Sequence, residues 1–500
     1  MTGRTPEALE SALSEVSETC VMEVISRKER QTHLIVWYHT DEAEGVEEIL
    51  RRSDFEAETF EDLKGLPRDL IAEANAEIAS INVQLEKLAA RGRELAHHKP
   101  KLMIVHDYFA QEAYKAHAHS LVGTTERVGV IEGWIRRHEF DRLVKDVESV
   151  IDSAEVLKIE PEPGESPPIE LKNRRIIRPF EVITELYGMP HAKEVDPTPL
   201  AAPFFALFFG FCLTDAGYGI VLVILSLLLM RYLKTGHKLL WLIFAGGLTT
   251  IAMGAITGGW FGLTEETIPP WLGFITTLRR TLMQFDPLKN PMLMFGIALG
   301  LGFIQVTFGL LIEMIENFRA RDVLAGLCDQ LTWIVLLWSA VLFGAAKMGA
   351  VNQAYLPFFK WAAIAAAIAI IGFSHRVGKN PVVRLGWGFY NLYGITGYLG
   401  DVLSYARLLA LGLATGGIAM VINAVALMAK GIPVIGYLAM ILVLAGGHTL
   451  NMAVNALGGF VHSARLQYVE FYPKFFEGGG KRFKPFAREL KYTRLVEKAS

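Results

Sequence analysis

Two arginines stand inside stretches that are otherwise apolar: Arg407 within DVLSYARLLALGLA, and Arg465 near the end of NALGGFVHSARLQYVEF. A guanidinium near the centre of a bilayer costs roughly 2.5–3.5 kcal/mol on insertion scales, so it calls for an acidic partner, a polar cavity or a functional reason. Neither arginine has an obvious neutraliser beside it in sequence. Asp401 and Ser404, in the same stretch as Arg407, join it as candidates for moving an ion. Around Arg465 the polar residues fall in register, because His448, Asn451, Asn455, His462 and Arg465 are spaced along one face of a helix. Such a stripe is expensive against lipid and must face protein or water. A water-filled half-channel is one account of it. Interhelical hydrogen bonds, each contributing about 0.6 kcal/mol on average, are the other. Asp215, in GFCLTDAGYG, falls mid-span and is expected either to line a channel or to partner an arginine. Gly412, Gly416 and Ala419, beyond Arg407, form a small-residue side that either packs on a helix of the same chain or slides past a moving partner. Gln305, Glu313, Glu316 and Asp329 are the other polar residues within spans, and the two glutamates lie near a span end where water can reach them.

The elements that carry these residues are membrane helices. Of the 500 residues, 52% are hydrophobic. Apolar stretches of about 20 residues, enough to cross a hydrocarbon core as helices, begin only near Leu200. Spans are expected at roughly 200–230, 240–263, 291–317, 327–347, 357–374, 400–428 and 433–467. The Gly-interrupted aromatic stretch 385–399 is an eighth span or an interfacial helix. Residues 471–500 hold eight Lys+Arg against three Asp+Glu, which favours a cytoplasmic tail and, with a cytoplasmic N-terminus, an even number of crossings. Arg231, Lys234 and Lys238 oppose this, since strict alternation would turn their connection outward. The expected fold class is therefore an α-helical polytopic membrane protein of about 8 transmembrane helices, with a cytosolic α/β and coiled-coil arm before it.

Charge divides where hydropathy does. Residues 1–190 hold 24 Lys+Arg and 37 Asp+Glu, whereas 191–500 hold 25 and 15. The acidic part opens with a distal α/β lobe over 1–66, where THLIVWY (32–38) reads as a strand and Val46, Ile49 and Leu50 as the apolar face of a helix. A coiled-coil strand occupies 67–122, with Ile71, Ile78 and Leu85 at one core position and Ala74, Ile81, Leu88 and Leu95 at the other. A second lobe and linker fill 123–190, with a strand at 127–134, a helix at 139–151 and a Pro-rich acidic linker at 160–169. The channel domain covers 191–470 and the basic tail 471–500, which Gly478 to Gly480 open as a flexible turn. Cys20, Cys212 and Cys328 are too scattered for a disulfide framework or a zinc site. The N-terminus lacks a cleaved-signal pattern, so an internal span should direct insertion. GxxxxGK[ST], HExxH and GxSxG are all missing, and no catalytic site, metal or cofactor is expected.

PFFALFFGFCLTDAGYG (203–219), SYARLLALGLA (404–414), HSARLQYVEFYPKFFEGGGKRFKPF (462–486) and RPFEVITELYGMPHAKEVDPTP (178–199) resemble the V/A-type ATPase subunit called a in eukaryotes and I in archaea and bacteria. EGWIRRHEFDRLVKDVES (132–149) looks like that family's membrane-proximal lobe. The resemblance implies a non-catalytic stator whose cytosolic arm binds peripheral stalks and whose membrane half lies against a ring of carboxylate-bearing proteolipids. It implies contact with the central-stalk (V1 or A1) sector through the complex, a bilayer, no nucleic acid and residence in a cell membrane with arm and tail cytoplasmic. Arg407 matches the family's essential arginine, and Arg465 with His462 its second pair. Eukaryotic members have a carboxylate in place of Asn455 and a histidine in place of Thr415, and this arm is shorter, without a first hairpin strand. A secondary ion transporter, which predicts internal symmetry, and a coiled-coil membrane scaffold are the competing readings; no repeat of SYARLLALGLA favours the first.

Overall fold

A computed structural model describes residues 6–14, 19–28, 31–53, 55, 66–162, 164–192, 194–233, 236–264, 268, 273–373, 381–487 and 490–493. Lys234 and the tail beyond Thr493 lie outside these residues. The chain divides into two units, Met1–Gly129 with Arg488–Ser500, and Val130–Ala487.

The first unit begins with α1 (Pro6–Ser14), the antiparallel pair β1 (Val21–Lys28) and β2 (Gln31–Trp37), and α2 (Ala43–Arg52). Val46 and Leu50, one turn apart on α2, bury against Leu9 and Leu13. The expected strand and helix thus both form. Pro67 occupies the first turn of α3 (Pro67–Ala96), where its missing N–H costs nothing. His97 and His98 keep helical backbone angles, so the helical path runs on into α4 (Lys99–Ser120). Ile71, Ile78, Ile81, Leu85, Leu88 and Leu95 are all exposed, which leaves the heptad seam without a partner among the described residues. Of the strand expected at 127–134, only β4 (Gly129–Val130) forms, beside β3 (Gly123–Thr124).

Asp107 on α4 is buried and holds residues 491–493. Its carboxylate accepts the N–H groups of Lys491, Tyr492 and Thr493 at 3.2, 2.9 and 2.7 Å and the Thr493 hydroxyl at 2.8 Å. Burial opposes its charge, yet the hydrogen bonds from Thr493 and Tyr492 outweigh burial and hold the carboxyl well below the usual carboxylate range. A depressed carboxylate contributes stability that is present above its ordinary pKa and is lost as pH falls through the lowered one. The clasp should therefore stay closed at neutral and mildly acidic pH. Asp107→Asn sets an amide NH₂ against N–H donors and should speed hydrogen exchange of the Tyr492 and Thr493 amides at least about tenfold. Unchanged exchange would remove Asp107 as the clasp.

The second unit opens with α5 (Phe140–Glu148) and an extended segment that reaches α6 (Glu181–Tyr187). Then follow α7 (Thr198–Leu213), α8 (Ala216–Tyr232), α9 (His237–Thr257), α10 (Gly273–Leu282) and α11 (Pro291–Arg319). After the short α12 (Val323–Ala325) and a π-helical turn come α13 (Thr332–Lys347), α14 (Leu356–Phe373), α15 (Pro381–Tyr393), α16 (Ile395–Ser404), α17 (Ala406–Lys430) and α18 (Gly436–Arg465). Among the described residues six stretches are long and apolar enough to cross a membrane, and α7 and α8 are shorter apolar helices. The chain is a polytopic helical membrane protein.

The single span expected at 200–230 is two helices. Thr214 takes a left-handed φ of 43°, and Asp215 then caps α8 by accepting the Tyr218 N–H at 3.0 Å. Phe180 meets Phe205 on α7, and Glu181 meets Lys238 on α9, while Thr257 at the other end of α9 donates to Thr214 O; α7 and α9 therefore run parallel. Ala216 lies by Gly254, and Val223 by Gly247, so α8 runs back against α9. The chain reverses at Thr214–Asp215. Arg231 and Lys238 accordingly return to the end where the chain leads in, and Lys238 pairs there with Glu181 and Glu185 at 2.7 and 3.0 Å. This removes the conflict that alternation posed. The reversal makes one more apolar helix than expected, and α15, which overlaps the Gly-interrupted stretch 385–399, lies against α14 with Gly388 over Ile371 O.

The chain leaves the bundle at the end where it entered. Tyr468 donates to Ile183 O at 2.8 Å, and Gly480 N–H to Met189 O at 2.8 Å. The Gly478–Gly480 turn is packed, not loose, because a Cβ on Gly480 would fall 1.9 Å from Pro190 O. Glu316 is also engaged here, accepting the Val195 N–H at 3.1 Å.

Candidate functional site

Among the described residues the membrane half holds one polar cluster at the chain reversal and another around Arg407. At the reversal, Asp215 is 1% exposed and accepts backbone N–H groups of Tyr218 and Gly262, so it serves the turn and, among the described residues, pairs with no arginine. From there a chain of hydrogen bonds crosses three helices. The Asn423 side chain donates to Phe261 O at 2.7 Å and meets His448 Nε2 at 3.0 Å; His448 Nδ1 meets the Tyr218 hydroxyl at 2.7 Å. Asn451 donates to that hydroxyl at 2.9 Å and to Thr415 O at 3.2 Å, and Asn455 donates to the Asn451 side chain at 2.6 Å. His448, Asn451 and Asn455 thus spend their polar atoms on helix pairing and on one another. Gly412 and Ala419 pack inside the chain too, with Gly412 against Met294 and Phe211 O and Ala419 against Gly262, while Gly416 meets open space.

The other group surrounds Arg407. Tyr405 breaks the path between α16 and α17, its ring seated over Gly302 of α11, where a Cβ would come within 2.4 Å. Its hydroxyl donates to Gln305 Oε1 at 2.6 Å, and Gln305 Nε2 donates to Gln467 Oε1 at 2.7 Å. Arg407 is half-buried, with Arg465 and Glu470 in electrostatic range and its Nη1 lacking a hydrogen-bond partner among the described residues. Glu470 Oε2, Gln467 Nε2, His462 Nδ1 and Ser463 Oγ are buried and unpartnered in the same sense. Each such group costs about 1–3 kcal/mol unless satisfied, so a cluster of them draws water, an ion or another subunit. Asp401 instead neutralises Lys474 at 2.6 Å, and Ser404 donates to Gly400 O at 3.0 Å.

Arg465 lies at the edge of the polar stripe and is exposed, whereas His462 is half-buried. The surfaces carrying the arginines are otherwise apolar: Leu403 at the end of α16, Ile418 and Val421 on α17, and Val454, Leu457 and Val461 on α18, are all about half exposed or more. A π-helical turn, Leu466–Phe471, follows Arg465 directly and carries Gln467 and Glu470 into the interior. Such turns are often found at functional sites.

A profile of the V-type ATPase 116kDa subunit family matches residues 9–253 and 395–488. The chain belongs to that family. Among its relatives is A-type ATP synthase subunit I of Methanocaldococcus jannaschii, 34% identical over 484 residues that cover 91% of this chain and 68% of that protein. Subunit I of Pyrococcus horikoshii is 32% identical, covering 98% and 74%, and that of Methanothermobacter thermautotrophicus 29% identical, covering 98% and 71%. Family membership makes this chain a non-catalytic membrane subunit of a V/A-type ATPase.

The matched segments of this 116kDa-family chain contain Arg407, Arg465, the polar stripe and the reversal, while α10 to α15 lie outside them. Sequence reasoning missed Tyr218, Asn423, Gln467 and Glu470, and gave Gln305 no role. Tyrosines blend into an apolar span, and Glu470 stands too close to a charged tail to look buried. The Tyr218 hydroxyl joins α8 to α18 by two hydrogen bonds. Tyr218→Phe leaves His448 and Asn451 short of a partner, so the full chain in detergent should lose about 1–3 kcal/mol, read as a lower thermal denaturation midpoint. An unchanged midpoint would show the hydroxyl chain to be idle.

Proposed function

We propose that this chain is the stator and ion half-channel of a V/A-type rotary ATPase, coupling movement of a proton or sodium ion past a rotating proteolipid ring to ATP hydrolysis or synthesis. The observation that carries the reading is the pair of arginines on the exposed apolar surfaces of α17 and α18, Arg407 with an unsatisfied Nη1 and Arg465 without an acid within 4 Å among the described residues. Lipid is a poor cover for such a surface, because a guanidinium facing hydrocarbon is unpaired. A partner that brings carboxylates is a good one.

An arginine beside a ring carboxylate favours its ionised form, so the site must release its ion before it passes and reloads only beyond. Arg407 is the residue assigned that role. Arg465 extends the positive field, with His462 beside it on α18, and Glu470 lies within electrostatic range of Arg407 from within the chain. Asp401 with Lys474, and the group formed by His448, Asn451, Asn455 and Asp215, brace the helices beside the two ion paths. The arm serves the peripheral stalks, and through the assembly the chain meets the central-stalk sector. Arm and tail are assigned to the cytoplasm, supported by the basic residues 471–500 and by the return of Arg231 and Lys238 to the lead-in end.

Family membership and the unrepeated arginine motif speak against a secondary transporter. The reading is tested by oxidative cross-linking in the assembled complex between Ala414→Cys, on the exposed side of α17, and a cysteine beside the ring carboxylate. A cross-link to the ring is expected. Its absence, with Val461→Cys on α18 equally silent, would take the ring off this surface.

A further inference from the structure

At the end of the membrane half where the chain enters and leaves, an open cavity of about 470 Å³ lies between the extended segment 169–173, α6, the start of α9 and the C-terminal segment 482–485. That size suits a small ligand. Its three carboxylates are all engaged. Glu170 takes Arg136 at 2.5 and 2.6 Å, Glu181 and Glu185 hold Lys238, and Glu185 also meets Arg482 at 3.3 Å. Lys172 and Arg178 line the same cavity, and their side chains make no ion pair or hydrogen bond among the described residues. The wall thus carries five cationic side chains against three anionic ones, and two of the cations are uncompensated.

Most of the remaining wall is apolar, from Ile169, Leu171 and Phe483, with His138 and Asn173 as its neutral polar side chains. Ile176, between the cations of the run KNRRIIR (172–178), is 85% exposed. An apolar side chain so displayed, next to a basic hollow where membrane helices begin, matches the boundary between headgroups and acyl chains. Arginine and lysine together favour phosphate oxygens, the first through its planar fork and the second as a mobile point charge.

We propose that this cavity binds a phosphate group, as a monoester or diester, through Arg178 and Lys172. The assignment is independent of the ring-facing arginines, since it uses neither α17 nor α18. A phospholipid headgroup and a soluble phosphate share this chemistry, and the two sources are separable. Purified full-length chain in phosphatidylcholine nanodiscs with a minor share of phosphatidylglycerol gives the lipid arm, read by native mass spectrometry of retained phosphatidylglycerol. Delipidated chain in uncharged detergent titrated calorimetrically with inorganic phosphate gives the soluble arm. Binding in the first arm alone assigns a headgroup, and binding in both a free phosphate site.

Lys172→Gln with Arg178→Gln should weaken whichever binding is seen by about tenfold or more, as loss of two charge-assisted contacts implies. Arg174→Gln with Arg175→Gln removes two exposed cations of the same run that do not line the cavity, and should leave affinity within about twofold. All four side chains are exposed and unpaired among the described residues, so folding is retained. Equal loss in both pairs would reduce the effect to general surface attraction. Equal loss, or no binding in either arm, overturns the site.

Discussion

ATP-driven acidification by vesicles that carry the assembled complex is expected to fall to the leak level when Arg407 becomes glutamine, with ring and stalk subunits still co-purifying. Glutamine keeps reach and hydrogen-bonding capacity but removes the charge. An opposite charge within reach lowers a carboxylate pKa by about 1–3 units, and each unit is worth about 1.4 kcal/mol. On the proposed stator reading, a ring carboxylate passing α17 without that term would keep its ion, and rotation would no longer require release. Arg407→Lys should retain a fraction of the activity, since an ammonium supplies charge without the planar fork. Full pumping by the glutamine variant, with assembly intact, would end the assignment of Arg407 and shift attention to Arg465.

The second large effect concerns folding. A Cβ on Gly254 would lie 2.0 Å from Ala216 N and 2.6 Å from the carbonyl carbon of Asp215. Both are backbone atoms at the chain reversal and cannot rotate aside. Ordinary overpacking costs about 1–3 kcal/mol, and a clash with main chain costs more. Gly254→Val should therefore prevent accumulation of folded chain in membranes, as judged by size-exclusion chromatography after mild solubilisation. Gly296→Ala, where a Cβ meets nothing within 4 Å, is the matched control and should behave as the native chain does. A monodisperse, native-like Gly254→Val peak would show that α9 and the reversal do not pack as described.

Much of this architecture is legible from residue order because hydrophobic length reports membrane helices directly. The arginines stood out for the same reason: a charge in an apolar run has few structural uses. The reversal at Thr214–Asp215 was less visible, since no proline or glycine interrupts PFFALFFGFCLTD at that point. Two clues were present. Asp215 followed by AGYG is an N-cap pattern, and the basic residues at 231–238 disagreed with a single crossing. The polar stripe on α18 was legible as a face, but helical periodicity does not say what covers a face. The structure divides it, burying Asn451 and Asn455 beside Tyr218 and leaving Arg465 outside. Glu470 was hidden because the π-helical turn shifts the register after Arg465, so projection of an ideal helix misplaces it.

The polypeptide begins and ends its passage through the bundle at one end, where Tyr468 and Gly480 are tied to Ile183 and Met189. Mechanically the bundle is a cantilever. A sideways load on the outer surfaces of α17 and α18 is carried back through that seam, while the far end resists through its own tight joint, the Thr214–Asp215 turn locked against Gly254 and Gly259, and through the hydrogen bonds that tie Asn423 to Phe261 O and His448. Stiffness under load therefore resides in a few glycines and one capped aspartate as much as in the helices themselves.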